Sequence, residues 1–317
     1  MKKIMKKIII IGLLGWGVFQ LAVTPWTKDL PGKLMFNTTR IRHEGPKGYG
    51  VTAMYRQGKT EVIFKNDGPY SIHWHKDGKR VAGLYGPKVG LFNEQGEILK
   101  LIPIPEGWSG TDLDWLPDSE RVLVIERPRV ADDKIGTVPT RMVLYDFVTG
   151  VRTLVPVQKD MYGMIKLTIS DKGQVVFQGS AVPFKPATLN LLDIKTGEVK
   201  VLKKGNNYKD VAFIDDHRVA FNSSWRLFNQ VLSPDMVGVY NLKTGMTRYL
   251  SLFAGDIRNL TVGGQYIITS EGEGDGQVLY KRSVWGGFKR PVLSPTKERV
   301  KWLRGMWSQD SFPAWHE

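Results

Sequence analysis

The stretch IHWHKDGKRVAG, Ile72 to Gly83, decides the fold. It reads as a short strand, a polar turn and a second strand, yet it also holds His73 and His75 at a spacing that suits a metal ion. The rest of the chain says which reading comes first. The same strand–turn–strand recurs as LDWLPDSERVLVI from Leu113, LTISDKGQVVF from Leu167, VAFIDDHRVAF from Val211, LTVGGQYIIT from Leu260 and GMWSQDSFPAW from Gly305. The residues ahead of the turns are Trp74, Trp115, Ile169, Phe213, Val262 and Trp307. All are apolar and four of the six are aromatic, which marks a repeated core slot.

A second pattern alternates with the first: a strand, a turn ending in glycine, and another strand. Its copies are VTAMYRQGKTEVIF, VGLFNEQGEILKLI, MVLYDFVTGVRTLV, LNLLDIKTGEVKVL, VGVYNLKTGMTRYL and VLYKRSVWGGFKRPVL. The turn glycines are Gly58, Gly96, Gly150, Gly197, Gly245 and Gly286 or Gly287, spaced by about forty to the mid-fifties, the period of a four-stranded blade. A tight hairpin needs a residue that accepts positive φ there. The first hairpin, Val51 to Phe64, is of the second type, and the last, Gly305 to His316, is of the first. The expected fold is therefore all-β: a six-bladed β-propeller closed by N- and C-terminal half-blades, which removes exposed sheet edges.

Composition agrees with many turns, since the chain has 34 Gly and 17 Pro in 317 residues. There is no cysteine, so disulfides, thiolate metal sites and a lipid-modified N-terminal Cys are excluded. Net charge is +14, of which Lys2, Lys3, Lys6 and Lys7 supply four. Those lysines precede the apolar run IIIIGLLGWGVFQLAV, Ile8 to Val23. A basic n-region ahead of such a run is an export signal, and the lysines keep the N-terminus in the cytoplasm. The expected organisation is a signal anchor or signal peptide over 1–23, a linker over 24–49 and the propeller over 50–317. An uncleaved single-pass transmembrane anchor with the propeller outside the cytoplasm is expected, secretion after cleavage being the alternative.

The turn WLPDSERV, Trp115 to Val122, together with HWHKDGKRVAG and MWSQDSFPAW, resembles the W-S-P-D-G signature of the Tol-system-type, WD-repeat-like propellers. LDIKTGEVKVL and YNLKTGMTRYL match that family's closing turn, while SDKGQ lacks the Trp and VGGQY lacks the Asp. The resemblance covers the chain from about residue 50. It implies an extracytoplasmic propeller scaffold and no particular reaction.

Function is expected on the face that carries the insertions: ERPRVADDKIGTVPTR from Glu126, GSAVPFKPAT from Gly179, NSSWRLFNQVLSPDM from Asn222 and SEGEGDG from Ser270. Arg127, Arg129, Lys134 and Arg141 make the first loop basic around Asp132 and Asp133, and Trp225, Arg226 and Phe228 are residue types that dominate interfaces. Glu271, Glu273 and Asp275 offer oxygens without a full calcium ligand set, so no metal and no cofactor is expected. No nucleophile elbow, zinc-protease motif or phosphate loop is present, and no catalytic residue is assigned.

The expected function is a non-enzymatic binding scaffold for a protein or a cell-envelope polymer. A polysaccharide hydrolase or lyase and an accessory subunit of a membrane complex are the alternatives. Nucleic acid is not an expected partner, because an exported chain rarely meets it. Strand alternation puts His73 and His75 on one face and Trp74 on the other, so the histidines are candidates for the central channel. Their equivalents, Asp114 and Leu116 in one copy and Met306 and Ser308 in another, share no chemistry, which disfavours a metal.

Overall fold

The computed structural model describes residues 68–117, 120–129, 139–183, 185–204, 207–224, 235–254, 257–271 and 278–293, strand segments 33–39, 50–56, 59–64 and 314–316, and Gly15, Val18, Phe19, Leu21 and Ala22. Three strands come first: β1 (Lys33–Thr39), β2 (Gly50–Arg56) and β3 (Lys59–Phe64). Blade 1 is β4 (Tyr70–Trp74), β5 (Arg80–Tyr85), β6 (Lys88–Asn93) and β7 (Ile98–Pro103). Blade 2 is β8 (Trp108–Trp115), β9 (Arg121–Pro128), β10 (Arg141–Asp146) and β11 (Arg152–Leu154). Blade 3 is β12 (Leu167–Ile169), β13 (Val175–Gly179), β14 (Thr188–Leu192) and β15 (Val199–Lys203). Blade 4 is β16 (Asn207–Asp215), β17 (Arg218–Ser224), β18 (Asp235–Asn241) and β19 (Thr247–Ala254). Blade 5 is β20 (Ile257–Gly263), β21 (Tyr266–Glu271), β22 (Val278–Ser283) and β23 (Gly286–Leu293), and a last strand, β24 (Ala314–His316), ends the chain.

The expectation of six blades closed by two half-blades is corrected. The propeller has five blades that are each one continuous antiparallel run of four strands. The leftover strands do not pair as two halves: their sheet runs β24-β1-β2-β3, three strands from the N-terminal side and one from the C-terminal side. The reason lies in β1, which falls inside the stretch expected to be linker. It covers the edge of β2 along its whole length, from Lys33 opposite Arg56 to Thr39 opposite Gly50. One place then remains, beside Lys33 to Met35, and β24 takes it. As for the helix, the described residues of the 1–23 segment are helical, but among the described residues no helix is long and apolar enough to cross a membrane.

The innermost strands β4, β8, β12, β16, β20 and β24 contact one another in that order, and β24 returns to β4. They surround a central channel. The core lies between neighbouring sheets rather than around one centre. Leu84, Val89 and Leu91 of blade 1 pack on Leu113, Val122 and Val143 of blade 2, and Leu189 of blade 3 packs on Tyr208, Val219 and Phe221 of blade 4. Each sheet buries both faces, which is why β9 and β13 are buried over runs of five consecutive residues.

The recurring turns form as their residues dictate. Asp193 Oδ1 accepts from the backbone N–H of Lys195 (2.8 Å) and Thr196 (3.1 Å), and Gly197 N–H returns to the Asp193 carbonyl at 2.8 Å. Asp146 and Asn241 do the same in blades 2 and 4. Gly197 sits at φ +72°, and a Cβ there would lie 1.8 Å from the Pro156 carbonyl oxygen, so glycine is required twice over. The turn between the first two strands is built on Asp77, whose Oδ1 accepts from Lys79 N–H (2.8 Å) and Arg80 N–H (3.1 Å). Asp215 is its copy in blade 4.

Candidate functional site

The innermost strand of a blade has one sheet neighbour, so its other edge leaves backbone amides that need acceptors. Carboxylates of the preceding blade supply them. Asp112 Oδ2 on β8 accepts from Leu167 N–H of β12 at 2.9 Å, and Asp114 Oδ2 accepts from Ile169 N–H at 2.8 Å. Asp210 on β16 repeats the contact two blades on, accepting from Leu260 N–H of β20 at 2.7 Å. Between them Thr168 Oγ1 accepts from Phe213 N–H at 3.2 Å. Backbone alternation aims every second residue of each inner strand at this seam.

These side chains line a channel cavity of about 180 Å³, joined by His73 and Lys166. His73 on β4 places Nδ1 3.2 Å from Asp114 Oδ1 and Nε2 3.8 Å from Asp112 Oδ1. Ser71, held at φ +46°, donates its hydroxyl to Asp112, and Lys166 Nζ stands 3.9 Å from the same carboxylate. Burial works against a charged His73, but Asp114 and Asp112 outweigh it and raise its pKa to about 10. Burial likewise works against an ionised Asp112, and Lys166, His73 and Ser71 overcome it, holding the carboxyl below its usual range. Asp210 is the exception: burial dominates, Lys166 compensates only in part, and its pKa rises to about 6. At neutral pH the layer sets a charged His73 against an ionised Asp112.

Above this layer the channel opens into a mouth of about 360 Å³. Its rim is made by the turns after the innermost strands: His75 and Lys76, Leu116 and Pro117, Ser170 and Asp171, Gly263 and Gly264. Trp74, Asp114, Ile169 and Val262 border both hollows. The aromatic slot also fastens blades together. Trp115 Nε1 donates to the His73 carbonyl at 3.0 Å, and its ring meets His75 edge-on at 4.7 Å and Phe147 at 5.6 Å.

Of the residues expected to act, His73 does face the channel. His75 is buried at the rim, with Nδ1 3.0 Å from Asp77 Oδ2. Arg127 and Arg129 are exposed on the opposite face. Arg141 is half-buried. It binds Glu126 with Nη2 2.7 Å and Nε 2.8 Å from Oε2, and its guanidinium stacks 3.5 Å from the Trp108 ring centroid. Arg152 and Tyr145 complete that buried cluster. Lys134, Trp225, Arg226 and Phe228 lie outside the described residues, as do Glu273 and Asp275 of the acidic loop. Glu271 of that loop is buried and paired with Lys289 and, at 3.6 Å, Arg282. Among the described residues no group of three His, Asp or Glu side chains is placed to hold a metal ion. Sequence reasoning missed the Asp112, Asp114 and Asp210 seam. Its signal was there: an Asp stands three residues before the slot residue in both TDLDW and DVAF (Asp112 before Trp115, Asp210 before Phe213), and Asp114 stands one before Trp115.

No family model matches the chain, and no curated protein matches it either. Solved structures do match. TolB from Acinetobacter baumannii aligns with a TM-score of 0.63 at 16% identity, over 90% of this chain and 67% of that one. A chain of a nidogen/laminin complex aligns at 0.61 with 8% identity, over 89% and 98%. An oligogalacturonate lyase in complex with manganese aligns at 0.55 with 13% identity, over 78% and 71%. Identities this low carry fold and not activity. The chain is an all-β propeller that resembles TolB-like proteins in fold.

Proposed function

We propose that the chain is a non-catalytic binding scaffold, held at the outer face of a membrane by its N-terminal segment. In this reading it takes a segment of a protein or the end of an envelope polymer into the mouth of the channel. One observation carries it: the channel carboxylates Asp112, Asp114 and Asp210 each accept a backbone amide of the next blade, while the mouth above them stays hollow. In each of these carboxylates one oxygen is committed to a backbone amide of the next blade, so the seam serves as a structural fastening. The charged layer also floors the mouth, so a ligand docks there and does not thread through. Exposed Arg127 and Arg129 offer a second contact area on the insertion-rich face.

Capture of partners from the protein's own membranes by the full chain tests this. The paired change Lys76→Glu and Asp171→Lys alters exposed rim residues and is expected to weaken capture about tenfold, as one lost charged contact of ~1.4 kcal/mol implies. Arg127→Ala with Arg129→Ala is expected to change it little. Capture that survives the rim change and fails with the arginine change moves the site to the opposite face. Turnover of envelope glycans by the purified protein, abolished by one Asp or Glu substitution, overturns the non-catalytic reading. Mass spectrometry of the mature N-terminus decides the anchor, since a start near Thr24 means cleavage.

A further inference from the structure

Exposed aromatic side chains gather at the outer edge of blades 4 and 5. Trp285 and Phe288, in and just after the turn from β22 to β23, are 46% and 59% exposed, and Met246 and Tyr249 on the neighbouring turn and strand are 70% and 38% exposed. Large apolar side chains gathered at one rim mark an interaction surface. Two guanidinium groups converge there. Arg218 lies 4.7 Å and Arg248 5.6 Å from the Trp285 ring centroid. Arg218 has Asp215 at 2.7 Å, whereas Arg248 donates to the Val284 carbonyl at 2.6 Å. Two cations thus share one ring beside one carboxylate, which leaves the rim short of negative charge.

Phe19, about one turn before the end of the apolar run Ile8 to Val23, lines the same rim. It borders a hollow of about 400 Å³ together with Arg248, Tyr249, Trp285 and Phe288. An apolar anchor leaves the bilayer at its end, so what a side chain one turn before that end touches stands close to headgroup height. Aromatic rings with arginines beside them are the side chains that settle at that level, rings among the headgroups and guanidinium forks on phosphate.

We propose that this rim, Trp285 and Phe288 with Arg218 and Arg248, is a contact surface for anionic lipid that sets the propeller edge-on to the membrane carrying its own anchor. The proposal rests on the anchoring read above. The channel mouth then opens along the membrane plane, accessible to partners in the same membrane.

The chain lacks cysteine, so single labels are clean. A polarity-sensitive fluorophore is placed on Phe288→Cys and, as a control, on Val148→Cys, a 70% exposed turn residue of blade 2. The full chain is reconstituted into vesicles of phosphatidylcholine alone or mixed with phosphatidylglycerol. The 288 label is expected to shift to the blue and escape an aqueous quencher on the anionic vesicles, while the 148 label stays quenched. Adding Arg248→Gln should weaken the effect about fivefold, the share of one basic residue at an anionic surface. Co-flotation with both vesicle types while the 288 label stays quenched keeps the anchor and overturns the contact surface. Failure to co-float with any vesicle overturns both. Shielding that follows protein concentration and not anionic lipid assigns the rim to a second copy and overturns the proposal.

Discussion

Replacing Asp112 tests whether the channel charges are structural. Its side chain is 2% exposed, accepts Leu167 N–H at 2.9 Å, takes the Ser71 hydroxyl, and faces His73 and Lys166 at 3.8 and 3.9 Å. Asp112→Ala leaves a buried amide without an acceptor, which costs about 1–3 kcal/mol. It also strips one partner from a buried ion cluster, a loss of about 3–5 kcal/mol when measured alone. The two overlap, because Lys166 turns to other groups and His73 keeps Asp114, so about 4 kcal/mol is expected. Asp112→Asn retains an acceptor for Leu167 and loses only the charge, so it should cost about half as much. Urea unfolding with intrinsic tryptophan fluorescence gives both values, and NMR titration of His73 against the other four histidines reads the charge directly. In both variants the His73 pKa should fall from about 10 toward its ordinary value, since one of its two carboxylates is gone. A loss below about 1 kcal/mol in the alanine variant, with the His73 titration unmoved, would refute the structural reading.

The same network predicts a pH profile. His73 titrates at 6.5 when unfolded and at about 10 when folded, so its stabilisation is complete below pH 6.5 and is lost as pH rises toward 10. Asp210 acts at the other end. Its folded pKa of about 6 lies above the unfolded 3.8, so the folded state binds more protons and stability falls as pH rises from 3.8 to 6. Urea midpoints measured across pH 4 to 10 should fall at both steps, and His73→Gln should remove the alkaline one. In the Lys-Thr-Gly turn of blade 3, Gly197→Ala meets the Pro156 carbonyl and a left-handed φ together. About 3 kcal/mol of destabilisation is expected, the sum of ~1 kcal/mol for the left-handed backbone and ~2 kcal/mol for overpacking. Gly86→Ala, with φ +57° and nothing within 4 Å, should cost only the backbone share.

Much of the architecture was legible because it is local. Asp193-to-Gly197 and Asp77-to-Arg80 close their turns with hydrogen bonds between residues at most four apart, and such turns need only the right residues in order. The aromatic slot was legible too, since Trp115 and Trp74 recur ahead of those turns. The closure was not. Whether β2 pairs outward with β1 or waits for a C-terminal hairpin depends on which segment reaches its edge, and KLMFNTT carries no turn motif to announce it. The site was legible only in part, because His73 gained a role through residues 39 and 41 positions away.

The sequence by itself determined the β class, the repeat, the turn glycines and the cysteine-free chemistry, because each follows from alternation, backbone conformation or composition. Tertiary structure alone decided that Asp112, Asp114 and Asp210 hold the amides of the next blade, that Arg141 serves a buried Glu126, and that β24 closes the ring as a single strand. Those contacts join segments far apart in the chain, and the acceptor an edge amide finds is set by which strand the ring brings beside it.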